Sequence, residues 1–218
     1  MMKTKANKFK IIGIIQARMG SQRLPNKMSA KLGGFPIIEW VLSRSKQSKL
    51  INKLILATSS SPENDYLIQI SKVNLIESYR GSENNVLSRF EKISSIENAD
   101  IIVRICADNP LIDPNEIDRI IKFHLENNYD YSFNHVPAMN NNYVDGVGAE
   151  VFSSDILHRI SKLAVAPIDL EHVTKYIWDN KSEFSINTTK APVGLDYPNV
   201  RLDIDTKNDL GYLNRLLK

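Results

Sequence analysis

The segment IIGIIQARMGSQRLPNK, residues 11–27, places three cations, Arg18, Arg23 and Lys27, straight after an apolar run that ends at Gln16. Ala17 leads into them, and Gly20 and Ser21 lie between Arg18 and Arg23. Glycine lets a backbone approach an anion closely, and backbone N–H groups with fixed cations can hold a polyphosphate. The spacing is neither the GxxxxGK[ST] of a P-loop nor GxGxxG. Further on, Asp108 follows the apolar run IIVRIC, and Asp205 ends the run VRLDID with Asp203 two residues before it. Residues i and i+2 of a strand share a face. Carboxylates at the ends of two strands can converge on one Mg²⁺, an ion that takes a couple of carboxylates plus phosphate oxygens and waters. Singly, each feature has an ordinary explanation: a solvated basic turn for the loop, capping or turn roles for Asp108, Asp113 and Asp205. Together they are two halves of a site for a Mg²⁺–nucleoside triphosphate, the cations neutralising phosphates and the metal polarising the one under attack.

The elements that must position these residues alternate. FKIIGIIQ reads as a strand buried on both faces, being β-branched and nearly continuous. A loop, 17–34, follows. Pro36 suits the first turn of a helix with Ile37, Ile38, Val41 and Leu42 on one face. KLILATS (53–59) is a second strand, Pro62 opens a helix through Ile70, and NLIESY (74–79) is a third strand. Arg80-Gly81-Ser82 reads as a turn in which Ser82 caps a helix to about Ile96. ADIIVRIC (99–106) is the fourth strand, and Asp113, Pro114 and Glu116 resemble a capping box opening a helix to about Glu126. Then YDYSFNHV and VGAEVF read as strands around the long polar connection PAMNNNYVDG. Helices over 154–163 and 168–178, the strand EFSINTT, the last strand VRLDID and a helix capped from Thr206 complete the chain. This predicts an α/β fold: a Rossmann-like, mostly parallel sheet with helices on both faces and a small antiparallel excursion. In such sheets ligands bind beyond the carboxyl ends of the strands, where the basic loop, Asp108 and Asp205 all fall.

At 218 residues the chain suits a single domain with an elaboration, the tail covering about 1–8 and the excursion about 130–152. No apolar stretch reaches the ~18 residues of a membrane span, so no membrane insertion is expected. The basic start MMKTKANKFK precedes an apolar run too short for a secretory signal. The lone Cys106 cannot form an internal disulfide, which fits a reducing cytoplasm. A net charge of +3, with no block of like charges and no aromatics among the cations, argues against nucleic acid. His124 and His158 fall within helices and are expected to pack or face solvent, His135 lies at a strand end, and His172 alone is expected to act. Cys106 reads as an inert small hydrophobe. No Ser–His pairing suggests covalent catalysis.

The stretch IIQARMGSQRLPNK resembles the signature of the cytidylyltransferases that activate acidic sugars, most of all the spore-coat polysaccharide branch, with the CMP-Kdo and CMP-sialic acid synthetases as relatives. The resemblance continues through LGGFPIIEWVLSR, RGSENNVLSRF, IIVRICADNPLIDP, DGVGAEVF, EHVTKYI and RLDIDTKNDL, nearly the whole chain. It implies that Arg18 and Lys27 hold the triphosphate of CTP with help from Arg23, and that Asp108 and Asp205 are the Mg²⁺ ligands. Gln16, Ala17, Gly20, Ser21, Arg80 and Ser82 would complete the nucleotide site. Arg104, Asp145, Glu150, Glu171 and His172 would serve the acceptor, and the excursion would embrace a partner in a homodimer. The expected reaction is attack of an acceptor oxygen on the α-phosphorus of CTP with release of pyrophosphate, in capsule, lipopolysaccharide or other surface-glycan synthesis. The chain departs from the usual pattern at Asn26, where Gly is common, at Ala107 and Asn109 around Asp108, and at Gly148, which replaces an acidic residue. The first three are expected to be tolerated; the last removes a polar group from the acceptor region. Three alternatives stay open: another nucleotide such as GTP with a sugar 1-phosphate, a glycosyltransferase using Asp203-Ile204-Asp205 as a D-x-D motif, and a non-catalytic polyanion-binding module.

Overall fold

The computed structural model describes residues 8–217; the expected tail at 1–8 lies almost wholly outside the described residues. Strand β1 (Ile11–Gln16) is an inner strand of the sheet. Its alternation puts Ile11 and Ile15 in one apolar core and Ile12 and Ile14 in another, on the opposite face. The first core takes helices α1 (Ile37–Ser45), α2 (Asp65–Val73), α4 (Pro114–Asn127) and α8 (Lys207–Leu216). The second takes α3 (Val86–Glu97), α5 (Ser154–Leu163) and α7 (Lys175–Asp179). Helices therefore cover both faces, as the near-continuous apolar strands require.

Numbered along the chain, the other strands of the sheet are β4 (Lys53–Ser59), β5 (Glu77–Gly81), β6 (Ile101–Cys106), β7 (Tyr131–Phe133), β8 (Glu150–Ser153) and β9 (Ile186–Thr188). Their order is β5-β4-β1-β6-β8-β7-β9. All pairings are parallel except those of β8, which runs against β6 and β7. From β1 the chain moves to β4 on one side and later returns to β6 on the other, so a crevice opens where β1 and β6 end. A short hairpin, β2 (Lys31–Leu32) and β3 (Phe35–Pro36), interrupts the expected loop after β1.

Several expectations shift. The third strand is shifted from NLIESY: Leu75 adopts φ +56 after α2, and pairing begins at Glu77, keeps Ser78 and Tyr79, and runs on through Arg80 and Gly81. Ser82 does not cap α3. Asn85 does, its side chain accepting from Ser88 N, while Ser82 Oγ accepts from Asn85 N. Asp113 caps α4 and accepts from Asn115 N, but Glu116 does not close a capping box. Its buried carboxylate accepts from Tyr143 Oη at 2.6 Å instead. The helix expected over 168–178 breaks into α6 (Pro167–Glu171) and α7, with His172 between them. VRLDID is not a ladder strand; it makes one bridge, Asp145 with Arg201. The 134–149 connection folds back on residues 191–202, burying Tyr143, Val144 and Val147.

Candidate active site

The loop after β1 is fixed locally. Ala17 N extends the ladder to Ala57 O at 3.2 Å, and Met19 N donates to the buried Asn64 Oδ1 at 2.8 Å. Leu24 N donates to Ser21 Oγ. Asn26 then turns left-handed at φ +57, a conformation that Gly takes freely and Asn tolerates. This explains the departure from Gly at that position. The turn delivers Lys27 into a short 3₁₀ segment with its side chain buried.

Asp108 and Asp205 meet through the backbone. Ile204 N donates to Asp108 O at 2.8 Å, and Leu202 N to Asp145 O at 2.9 Å, so the last segment runs alongside the ends of the older strands without joining them. Gly146 permits this approach. It has φ +94, and a Cβ there would lie 2.8 Å from Asp203 N. Lys27 Nζ stands between the two carboxylates, 3.2 Å from Asp205 Oδ1 and 3.7 Å from Asp108 Oδ2, and donates to Ile204 O at 2.9 Å. Arg23 reaches Asp205 Oδ2 at 3.0 Å. Burial pushes the Asp145 carboxyl up to about 6, reinforced by the nearby Asp203, Asp108 and Asp205 and opposed by Arg201. Asp203 is in turn paired with Arg201, and Asp205 with Lys27 and Arg23.

Among the described residues no three His, Cys, Asp or Glu side chains gather into a self-sufficient metal cage. Two carboxylates close enough to share one ammonium fit Mg²⁺, which takes the rest of its shell from phosphate oxygens and water.

A cleft of about 560 Å³ gathers most of the expected residues: Gln16, Ala17, Arg18, Gly20, Ser21, Arg23, Lys27, Arg104, Asp108, Glu171, His172 and Asp205 all line it. Arg18 is clasped by Glu171 at 2.8 Å and lies 3.9 Å from Glu83. Arg104 donates to Gln16 Oε1 and to the buried Glu150. Burial works against the Glu150 charge, yet Arg104 and His135 hold its carboxyl below the usual range. Burial pushes the Cys106 thiol up to about 12, which leaves it protonated and inert, as expected.

Four expected site residues stand outside the cleft lining. Arg80 is spent on Asp65 and on the carbonyls of Ser59, Ser60 and Ser61. Ser82 serves the turn before α3. Asp145 pairs with the 200–202 segment, and Glu150 sits behind Arg104. Gly148 has a steric cause: a Cβ there would lie 2.2 Å from Asn134 Oδ1 and 2.3 Å from its carbonyl oxygen. An acidic side chain does not fit on this backbone. Gln22, Met28, Val86 and Arg89 line the cleft without having been anticipated. A signal for Arg89 exists, since it falls on the apolar stripe Val86, Phe90, Ile93 of α3.

A family model for cytidylyltransferases matches residues 12–217. The spore coat polysaccharide biosynthesis protein SpsF of Bacillus subtilis is 34% identical over 91% of this chain and 82% of its own length. A 3-deoxy-manno-octulosonate cytidylyltransferase of Trichlorobacter lovleyi is 34% identical over 55% of this chain and 46% of its own. Among solved structures, a cytidylyltransferase from Leptospira borgpetersenii superimposes with a TM-score of 0.86 at 30% identity, covering 94% of this chain and 85% of that one.

Proposed function

This chain belongs to the cytidylyltransferase family, and we propose that it transfers CMP from CTP to an acidic sugar or a phosphorylated acceptor, with Mg²⁺, in surface-glycan synthesis. The observation that carries the reading is Lys27 standing between Asp108 and Asp205 at the mouth of the β1–β6 crevice. The basic loop seats the triphosphate. An acceptor oxygen attacks the α-phosphorus, the bond to the bridging oxygen of the β-phosphate breaks, and pyrophosphate leaves with its charge met by Arg18 and Lys27. Asp108 and Asp205 would hold Mg²⁺, which would supply Lewis-acid polarisation of the phosphate. The chain's own residues supply positioning and charge neutralisation, which carry most of phosphoryl transfer. A phosphate acceptor attacks through an oxygen that is already ionised and needs no general base, whereas a sugar hydroxyl passes its proton to water or to a carboxylate of the cleft as the bond forms. The family resemblance also supports a homodimer, checked by sedimentation.

The test is pyrophosphate release from CTP, and separately from GTP, against a panel of 3-deoxy-manno-octulosonate, sialic acid and sugar phosphates, with and without Mg²⁺. Mg²⁺-dependent release with CTP and one acidic acceptor is expected. Release only with GTP and a sugar 1-phosphate would transfer the reading to another nucleotide, and no release with any pair would end it.

A further inference from the structure

Arg89 is the most unusual charge in the molecule. It rises from the first turns of α3 with only 2% of its surface exposed, and it lines the cleft. Its Nε and Nη1 are buried and have no hydrogen-bond partner among the described residues. No described carboxylate lies within ion-pair distance of it. The charged groups that face it are Glu83, which favours its charge, and Arg18, which opposes it, while burial opposes it most. Glu83 is drawn towards Arg18, and its own Oε2 is buried and unpartnered. An arginine cannot shed its proton to escape this cost, and a buried unpaired charge is strongly unfavourable.

The fold nevertheless makes room for it. Gly81, at the end of β5, has Arg89 Cγ where its Cβ would be, 2.8 Å away. A Cβ at 81 would collide with the stem of the Arg89 side chain. A group kept at a cost, in a cradle shaped for it, facing a substrate cleft, is waiting for a counter-charge that arrives from outside.

We propose that Arg89 is an oxyanion receptor at the inner wall of the cleft, binding a carboxylate or phosphate group of a substrate through its planar fork. The guanidinium matches either group with two parallel hydrogen bonds. The oxyanion has two sources, the phosphates of the nucleotide or the acidic group of the acceptor. Naming those sources rests on the cytidylyltransferase reading; the receptor itself does not.

The experiment compares melting of the wild type, Arg89→Met and Arg89→Lys during titration with pyrophosphate and, separately, acetate, at constant ionic strength. Pyrophosphate stands for the nucleotide's phosphates and acetate for an acceptor carboxylate. In anion-free buffer Arg89→Met is expected to melt at or above the wild type, because a buried unpaired charge has gone. The wild type is expected to be stabilised saturably by at least one probe, with affinity at least tenfold weaker in Arg89→Met and partly restored in Arg89→Lys. The probe that loses affinity identifies the source. Equal affinities of wild type and Arg89→Met for both probes would overturn the proposal, as would a wild type that answers to neither. CTP with Mg²⁺ in the same melts separates the two readings: a wild type that answers to an anion through Arg89 but not to CTP keeps the receptor and loses the cytidylyltransferase assignment.

Discussion

Removing the Lys27 ammonium should uncover the charge it now holds apart. In Lys27→Met the apolar stem is kept, while Asp205 Oδ1 and Asp108 Oδ2 lose the cation that lies 3.2 and 3.7 Å from them. At an effective dielectric of ~20 the nearer contact alone has a Coulomb energy of about 5 kcal/mol. Most of it is offset by the cost of desolvating the ammonium, and a charged hydrogen bond contributes about 1.5–3 kcal/mol net. Since 1 kcal/mol moves the melting temperature of a chain this size by roughly 2–4 °C, the variant should melt about 3–12 °C lower and still fold. Mg²⁺ should return part of that loss in Lys27→Met, because it can take the ammonium's place between the carboxylates. Pyrophosphate release should fall by about 10²–10³, the range for losing one donor aimed at developing charge. Melting with and without Mg²⁺ reads the first effect, and continuous pyrophosphate detection the second. A variant with wild-type melting, no Mg²⁺ response and unchanged turnover would refute the reasoning.

Burial pulls the His124 imidazole down to about 4, with Nδ1 3.0 Å from Ser132 Oγ. The unfolded chain, with an ordinary value of ~6.5, takes up the proton first, so stability is full above about pH 6.5 and falls by about 3 kcal/mol as pH drops towards 4. Denaturant melts across that window should show a shallower slope in His124→Gln, and equal slopes would contradict the burial argument. Gly146→Ala places a Cβ 2.8 Å from Asp203 N at a positive φ. It should cost ~1–3 kcal/mol and lower turnover at least tenfold by displacing Asp205; lowered stability with normal turnover would detach Asp205 from the chemistry. Gly148→Asp should destabilise by about 3 kcal/mol or express insolubly because Asn134 fills the space. A normal denaturation midpoint would show that the backbone yields there.

Much of the fold was legible because its strands are buried on both faces. The run Ile11–Ile15 and the run Ile101–Val103 carry no polar side chain, and only helices on both sides of a parallel sheet bury such segments. The misreadings have local causes. Leu75 looks like a strand residue, yet it closes α2 in a left-handed turn and is 83% exposed. Apolar pattern alone cannot report a positive φ. Residues 168–178 carry a helical pattern across a break at His172, where no Gly or Pro warns of it. VRLDID has strand composition, but it pairs through isolated bonds to Asp145 and Asp108.

The basic loop and both carboxylates were readable from the sequence, since each follows an apolar run and the fold brings such ends together. Arg80 and Ser82 were drawn into the expected site by a motif whose geometry serves a strand end and a turn. Arg89 was passed over because charge on a helix ordinarily means solvent. Its place on the apolar stripe carries the information, but only the packing beneath Gly81 shows which side it faces.

The most direct measurement is the melting temperature with CTP, GTP, UTP and ATP, each with and without Mg²⁺. A ligand at ~100 times its dissociation constant stabilises by about 2.7 kcal/mol, a rise of roughly 5–11 °C for a chain this size. The account predicts that rise for CTP with Mg²⁺, and little without the metal or with the other three. An equal or larger rise with GTP, UTP or ATP, or none with any of the four, would contradict it.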